Sequence, residues 1–462
     1  MVTDRVWHVP ESLMRAKTFR PYDQDTLLLM PPSVRDWVDP DGPAAFIDAL
    51  VNELDLAPFL AAHDEPRGMP PYHPALMLKV LLYGYAVGVR SSRRIEERLR
   101  TDVAFMFLAG QARPDHKTIS EFRRRHLAAL SALFLESLRL CQRAGMVRLG
   151  TVALDGTKVK ANASRHKAMS YARMPEREAA LEAEVARILA EAEAVDRAED
   201  ALYGDARGDE LPEALRTREG RLRAIREAKA ALEAEARERT GDPAAVPDPK
   251  AQRSFTDPDS RIMHSKPDGW IYGYNAQAVV DEAHQVIVAT AIGTTTTDVG
   301  HLPALTDQVE ANTGRRPRRL LADAGYQSDD NLAHLAAQGV DALVAVRRDR
   351  HSAPPPVPPR GRIPKGLTPR QRMIRKLTTK VGHAHYARRK VIVEPVFGQI
   401  KESCGFRRFS LRGRRAVDAE WHLVCAIHNL GKLLRSGRAS RVLTGWDPPG
   451  GRRTGTTAGA WA

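Results

Sequence analysis

Three carboxylates in this chain stand in surroundings that suit phosphoryl-transfer chemistry. Asp155 closes the apolar run "TVAL", Asp323 closes "RRLLA" and is followed by Ala324 and Gly325, and Glu394 lies within "KVIVEPVFGQIKESCGF". The segment around Glu394 is the most basic of the chain: from Arg347 to Arg415 there are 20 Lys or Arg against Asp349, Glu394 and Glu402, a net charge of +17. Such a surface suits a polyanion, and a carboxylate inside it would repel that partner unless a cation stood between them. Three carboxylates crowded together without cations repel until some of them protonate. With Mg²⁺ or Mn²⁺ the same crowding becomes a binding site, because hard cations take oxygen ligands. Two such ions about 3.5–4 Å apart stabilise both the attacking and the leaving oxygen of a phosphoryl transfer. Singly, each residue has a plainer reading, since an Asp at a strand end is commonly a cap and a Glu on a basic helix is commonly an ion-pair partner. The combination carries the argument.

For the two aspartates to meet, they must stand at neighbouring strand ends, where ligands collect in an α/β sheet. The β-branched stretch around residues 147–160 reads as a buried strand ending at Asp155. "GYNAQAVV" and "QVIVATAIG" flank the turn "DEAH" as a β-hairpin. "HLPALTDQVEANTG" reads as a helix, "RRLLADAGYQS" as a strand ending at Asp323, "SDDNLAHLAAQG" as a helix capped by Ser328, and "VDALVAV" as a strand. Two further helices, around Tyr386–Ser403 and Ala416–Leu434, follow a Pro-rich basic linker, and the first of them brings Glu394. Pro395 predicts either a kink at that point, the favoured reading, or a helix restarting there with Glu394 near its N-cap. Asp298 and His301 read as candidate helix-capping residues, His301 also as a second-tier group at the site. Asp257, Asp259 and Asp268 read as loop residues, and Trp270 and Tyr272 as core or base-stacking aromatics.

The rest of the chain divides by composition. Residues 1–145 read as helices, with Arg123, Arg124 and Arg125 in the first turns of a basic helix. Two short helices and a turn before it resemble a helix-turn-helix unit, and a solvated arginine face is the alternative. Residues 174–249 place Leu181, Val185, Ile188, Leu222, Ile225 and Leu232 at heptad-like steps, which predicts an inserted antiparallel helical hairpin and a linker. The tail 436–462 is Gly- and Arg-rich and reads as disordered. The remaining blocks, 146–173 and 250–435, form one α/β unit. Net charge is +14 with 43% apolar residues, so a core is affordable and the excess charge is local. Cys141, Cys404 and Cys425 have no zinc-like spacing. The longest apolar run, "ALMLKVLLYGYAVGV", is too short to span a bilayer. Together with an N-terminus lacking a signal-peptide core, this gives an expectation of a cytoplasmic, nucleoid-associated protein.

"ALDGTKVKANAS", "LLADAGYQS" and "YARRKVIVEPVFGQIKESCGFRRFSLRG" resemble the three blocks of bacterial insertion-sequence transposases with a DDE triad and a ribonuclease-H-like core. "HPALMLKVLLYGYAVGVRSSRRIEERLRTDVAFMFLAG" with "PDHKTISEFRRRH" resembles the helical domain preceding that core, and "AIHNLGKLL" its closing helix. The resemblance covers most of residues 70–435. It implies an α/β fold: a ribonuclease-H-like mixed sheet flanked by helices, carrying the N-terminal all-helical domain and the inserted hairpin. It further implies Asp155, Asp323 and Glu394 as the metal-binding catalytic triad, holding Mg²⁺ or Mn²⁺. Related enzymes carry a Tyr, a basic residue, the Glu and a Lys along one helix; Tyr386, Lys390, Glu394 and Lys401 match, with Lys where Arg is frequent. At 100° per residue Lys390 and Lys401 fall within about 40° of Glu394. Tyr386, Arg388, Arg389, Lys390 and Lys401, with Arg123, Arg124 and Arg125 of the N-terminal domain, form the expected DNA-binding set. The implied partners are double-stranded DNA, as element ends and target, and a second copy of the chain. The implied reaction is hydrolysis at the element ends, after which the freed 3′-OH attacks target DNA. A transposase-derived DNA-binding protein without cleavage activity and a nuclease of the same fold are the competing readings.

Overall fold

The computed structural model describes residues 33–62, 70–163, 168–187, 213–265, 268–346, 361, 364 and 366–446. The turn expected at 203–212, most of the Pro-rich basic linker and the tail beyond 446 lie outside the described residues. The chain opens with helices α1 (Pro43–Glu53), α2 (Ala57–Leu60), α3 (Pro74–Ala86), α4 (Ser92–Thr101), α5 (Val103–Leu108), α6 (His116–Arg125) and α7 (Leu127–Arg143). Their boundaries follow local chemistry. Pro74 sits in the first turn of α3, and Asp115 caps α6 by accepting from Thr118 N at 2.7 Å.

Strands β1 (Thr151–Lys160) and β2 (Ala168–Ser170) come next, then helices α8 (174–187) and α9 (Glu213–Thr240). The ion pairs between these helices run in opposite directions along the two chains: Glu178 meets Arg226 and Lys229, while Glu184 meets Arg218. They are therefore antiparallel. Their apolar seam, which includes Leu181, Leu222, Ile225 and Leu232, is separate from the main core.

β3 (Gln252–Ser254) pairs with β2, and β4 (Arg261–Ser265), β5 (Gly269–Asp281) and β6 (Ile287–Gly293) follow. After α10 (Leu302–Thr313) the chain alternates β7 (Arg319–Ala322), α11 (Asp329–Ala337) and β8 (Asp341–Val344). The main sheet is mixed. β5 pairs antiparallel with β1, which pairs parallel with β7, which pairs parallel with β8. β4 and β6 pair with successive parts of β5. Gly273 is required by the close approach of β1: a Cβ there would lie 2.6 Å from the Val159 carbonyl oxygen.

The C-terminal helices are α12 (Pro369–Thr378), α13 (Lys380–Gly398), a π turn at Gln399–Ser403, and α14 (Arg414–Arg435). α14 runs along α7 and covers the β6 edge. There the Asn429 side chain accepts from Ile287 N at 2.8 Å and donates to Ile287 O at 2.9 Å, satisfying a strand edge that would otherwise be open. The N-terminal helices, the sheet and α14 share one apolar core. Residues 436–446, assigned by composition to the tail, are folded: Trp446 is buried and meets Phe46 edge-on at 5.5 Å. No described helix is long and apolar enough to cross a membrane.

Candidate active site

The register of two parallel strands brings the aspartates together. Leu154 of β1 pairs with Ala322 of β7, so Asp155 and Asp323 follow at the same level on neighbouring strands, which are separated by about 4.8 Å. Each carboxylate is held by its own backbone. Asp155 Oδ1 accepts from Gly156 N at 2.8 Å, and Asp323 Oδ1 accepts from Gly325 N at 2.8 Å while capping the short 3₁₀ turn Ala324–Tyr326.

A third acid joins them, and it is not Glu394. Asp298 stands at the N-cap position of the 3₁₀ turn Val299–His301, but its side chain does not cap it. Instead Oδ1 accepts from Asn275 Nδ2 at 2.6 Å and Gln277 Nε2 at 2.9 Å, both on β5, and lies 3.5 Å from Lys158 Nζ. A Cβ on Gly325 would be 3.0 Å from both Asp298 Oδ2 and Asp323 Oδ1, so the bare backbone there allows the two acids to converge. The Gln277 amide oxygen accepts from the buried Tyr326 hydroxyl, which ties the turn after Asp323 to the same network. His301 packs its ring over Gly293, and burial lowers its pKa.

α13 delivers a basic residue to Asp155. Arg389 Nη1 donates to Asp155 Oδ2 at 2.7 Å. Arg389 opens a sheet-facing stripe continued by the buried Ile392, Val393, Val396, Phe397 and Ile400, at helical steps of i, i+3, i+4, i+7, i+8 and i+11. Glu394 is five residues on, about 140° around an ideal helix from Arg389. It is exposed and has no hydrogen-bond or ion-pair partner among the described residues. The helix does not restart at Pro395. It runs on to Gly398 and enters the π turn, where Lys401 Nζ approaches Lys158 O at 3.4 Å. Lys390 is exposed, and Tyr386 is half-buried near Arg389. Among the described residues no group of three His, Cys, Asp or Glu stands at metal-ligating spacing. Asp155 and Asp323 nevertheless supply the hard oxygen donors that Mg²⁺ or Mn²⁺ takes. The pair fits such an ion; the third ligand of the expected triad is turned to solvent.

The electrostatics agree with a crowded acid site. Burial raises the Asp155 pKa to about 6; Arg389 opposes that rise and Asp323 adds to it. Burial lowers the Lys158 pKa, with Asp298 opposing. Because Asp155 has a raised folded-state pKa, the native state binds more protons than the unfolded chain between about pH 4 and 6. Its ionisation therefore removes stability as pH rises through that window. Arg389→Met deletes the cation that opposes the shift. The Asp155 carboxyl titration, followed by carbon NMR, is expected to move above its wild-type midpoint near 6. A midpoint that stayed in place would show that Arg389 does not govern Asp155.

The other basic residues singled out in the sequence lie apart from the acid pair. Arg123 is buried, donating to Arg90 O at 3.0 Å and to Ser92, so it faces the protein interior and not a DNA face. Arg124 pairs with Glu121 and Arg125 is exposed. Arg388 reaches Glu282 at 2.5 Å. Asp257 lies in the loop between β3 and β4, as expected, but it is fully buried there and accepts from Tyr274 OH at 2.7 Å. Trp270 is 63% exposed and meets His264 edge-on, while Tyr272 is buried.

The family model described as the transposase DDE domain matches residues 242–430, which include Asp323 and Glu394. A second family model, described as a transposase domain (DUF772), matches residues 32–125, the helices α1–α6. No curated protein and no solved structure matches the chain.

Proposed function

The chain belongs to the insertion-sequence transposases of the DDE type, and from that premise we propose that it binds the ends of its element, cleaves DNA and joins the 3′-OH to target DNA. The observation that carries this is the register placing Asp155, midway along β1, beside Asp323, which follows the end of β7, where the parallel ladder between the two strands stops. The strand order, with β1 between antiparallel β5 and parallel β7, supports a ribonuclease-H-like reading of the core.

Asp155 and Asp323 would hold a divalent cation, with Glu394 as the third ligand. When bound, such an ion supplies an activated water and neutralises charge on the leaving oxygen. The protein's own contribution is orientation. The Gly156 and Gly325 amides fix one oxygen of each aspartate, and Asn275 and Gln277 fix Asp298 beside them. Arg389 neutralises Asp155 while the site is resting, and Lys390 and Lys401 offer point charges for DNA phosphates. Asp155 must be ionised to act as a ligand. A second copy of the chain would serve the second element end.

One observation favours the binding-only reading: Arg389 occupies Asp155 while Glu394 faces solvent. A labelled duplex carrying the element's own end, incubated with Mg²⁺ or Mn²⁺ and target DNA, separates the readings. Cleaved and joined products are expected. Cleavage without joining would move the assignment to a nuclease, and binding without cleavage to the binding-only protein.

A further inference from the structure

We propose that residues 404–415 form a rigid arginine ridge that grips the phosphate backbone of duplex DNA beside the acid site; this rests on the DNA-binding reading above and names the surface that performs it. The ridge carries Arg407, Arg408, Arg412, Arg414 and Arg415, all exposed.

The segment is held far more firmly than a surface loop needs. Phe409 N donates to Lys160 O at 2.9 Å, and Arg408 forms a parallel bridge with Lys160, so the loop adds to the end of β1. Asn162 Nδ2 donates to Ser410 O at 2.8 Å, and Arg90 donates to the carbonyls of Gly405 and Arg408. Phe406 and Phe409 are buried edge-to-face at 5.2 Å, which turns the Arg407 and Arg408 side chains outward between them. Beneath the loop, Glu420 is 2% exposed, and its carboxylate accepts from Ser410 N, Leu411 N and Tyr85 OH. Burying a carboxylate is costly unless it is fully hydrogen-bonded. Here that cost is met in order to fix a loop whose outward side chains are arginines.

The ridge is anchored at both ends. Arg414 and Arg415 open α14, whose first amides are held by carboxylates of the β3–β4 loop: Asp257 Oδ1 accepts from Gly413 N at 3.1 Å and Asp259 Oδ2 from Arg414 N at 2.8 Å. The ridge also continues the strand that carries Asp155. Lys160 lies five residues on, roughly 17 Å at about 3.3 Å per residue. That is about five phosphate steps of one DNA strand at ~3.4 Å each. Arg407 meets Glu402 and Arg412 Nε donates to Asn162 O at 3.0 Å, which lays these side chains along the ridge, and planar guanidinium groups fixed in this way suit phosphate oxygens.

The test is anisotropy titration of a labelled 30-base-pair duplex of arbitrary sequence, about 30 being long enough to span site and ridge, across a salt series. Wild type is compared with Arg408→Ala/Arg412→Ala/Arg415→Ala. Each lost phosphate contact removes about 0.9 from the slope of log K against log salt, so the slope is expected to become shallower by about 2–3. Affinity at low salt should fall more than about tenfold. Should the triple variant lose its wild-type melting midpoint, Arg408→Ala alone, whose side chain has no partner among the described residues, should still lower the slope by about 0.9. A slope unchanged in a folded variant, while wild type binds, overturns the ridge and leaves the transposase reading intact. Failure of wild type to bind any duplex overturns both.

Discussion

Asp323→Asn is expected to abolish metal-dependent strand cleavage while leaving duplex binding within about twofold of wild type. A divalent cation polarising a phosphoryl group contributes several kcal/mol to the transition state, and about 4 kcal/mol corresponds to about 10³-fold in rate. The substitution is conservative in every other respect. Asn keeps an Oδ1 that can accept from Gly325 N, so the cap on the Ala324–Tyr326 turn survives. It removes one negative charge from beside Asp155, which lowers one of the causes of that residue's raised pKa. The fold should therefore be unharmed. Denaturant unfolding and duplex anisotropy on the same preparation check this, and cleavage of labelled DNA supplies the activity. Loss of binding along with cleavage would mean that Asp323 is structural.

The second large effect is on stability. Glu420→Ala leaves the Ser410 and Leu411 amides and the Tyr85 hydroxyl without their acceptor, in a buried setting that also holds Arg123. Removing one partner of a buried charged cluster costs about 3–5 kcal/mol, because the remaining groups stay desolvated and unpaired. Chemical denaturation should show that loss as a lower midpoint at unchanged slope. Glu420→Gln recovers only part of it, since its amide nitrogen must face a donor. Because Tyr85 and Arg123 lie in the N-terminal helices and Ser410 leads into α14, the variant should loosen the docking of these helices against the C-terminal segment. Proteolysis near residues 404–413 would report it. A variant as stable as wild type would mean that solvent reaches the cluster and replaces Glu420.

Much of this was legible in the sequence because it rests on local patterns. "TVAL" before Asp155 and "RRLLA" before Asp323 are short buried runs; β7 ends at Ala322 as expected, whereas β1 does not end at Asp155 but runs on to Lys160, because antiparallel β5 keeps pairing with it beyond the parallel ladder. Ser328 caps its helix as its position suggests, with Asn331 N at 3.0 Å. The "DEAH" turn joins β5 and β6. Arg389 was legible too, but through a different signal from the motif. The apolar period through Ile392, Val393, Val396 and Ile400 puts Arg389 on the sheet face and Glu394 off it. A motif aligned by residue type fixes which residues belong together, not which way a helix is rotated.

Other parts had no local signature. Asp298 follows a run of threonines like an ordinary cap, and only the pairing of β5 with β1 and β6 brings Asn275 and Gln277 to it. Glu420 is one acid in an otherwise apolar helix face, and its partners are 10 residues and 335 residues away in sequence. Arg123 belongs to a run of three arginines that composition treats alike. The packing of α6 against α3 buries the first and leaves the other two outside. Such placements depend on long-range packing, which single-sequence periodicity does not carry.

The most direct test of the central claim is cleavage of a labelled duplex bearing the element's own end, with Mg²⁺ or Mn²⁺, by wild type and by Glu394→Gln. Glu394 is the acid that must join Asp155 and Asp323 for the triad to exist, and it is the one the structure leaves at the surface. The account predicts metal-dependent cleavage at the element end by wild type, lost in Glu394→Gln while duplex binding persists. Cleavage by the variant at the wild-type rate, or tight binding with no cleavage by wild type under either metal, would contradict it.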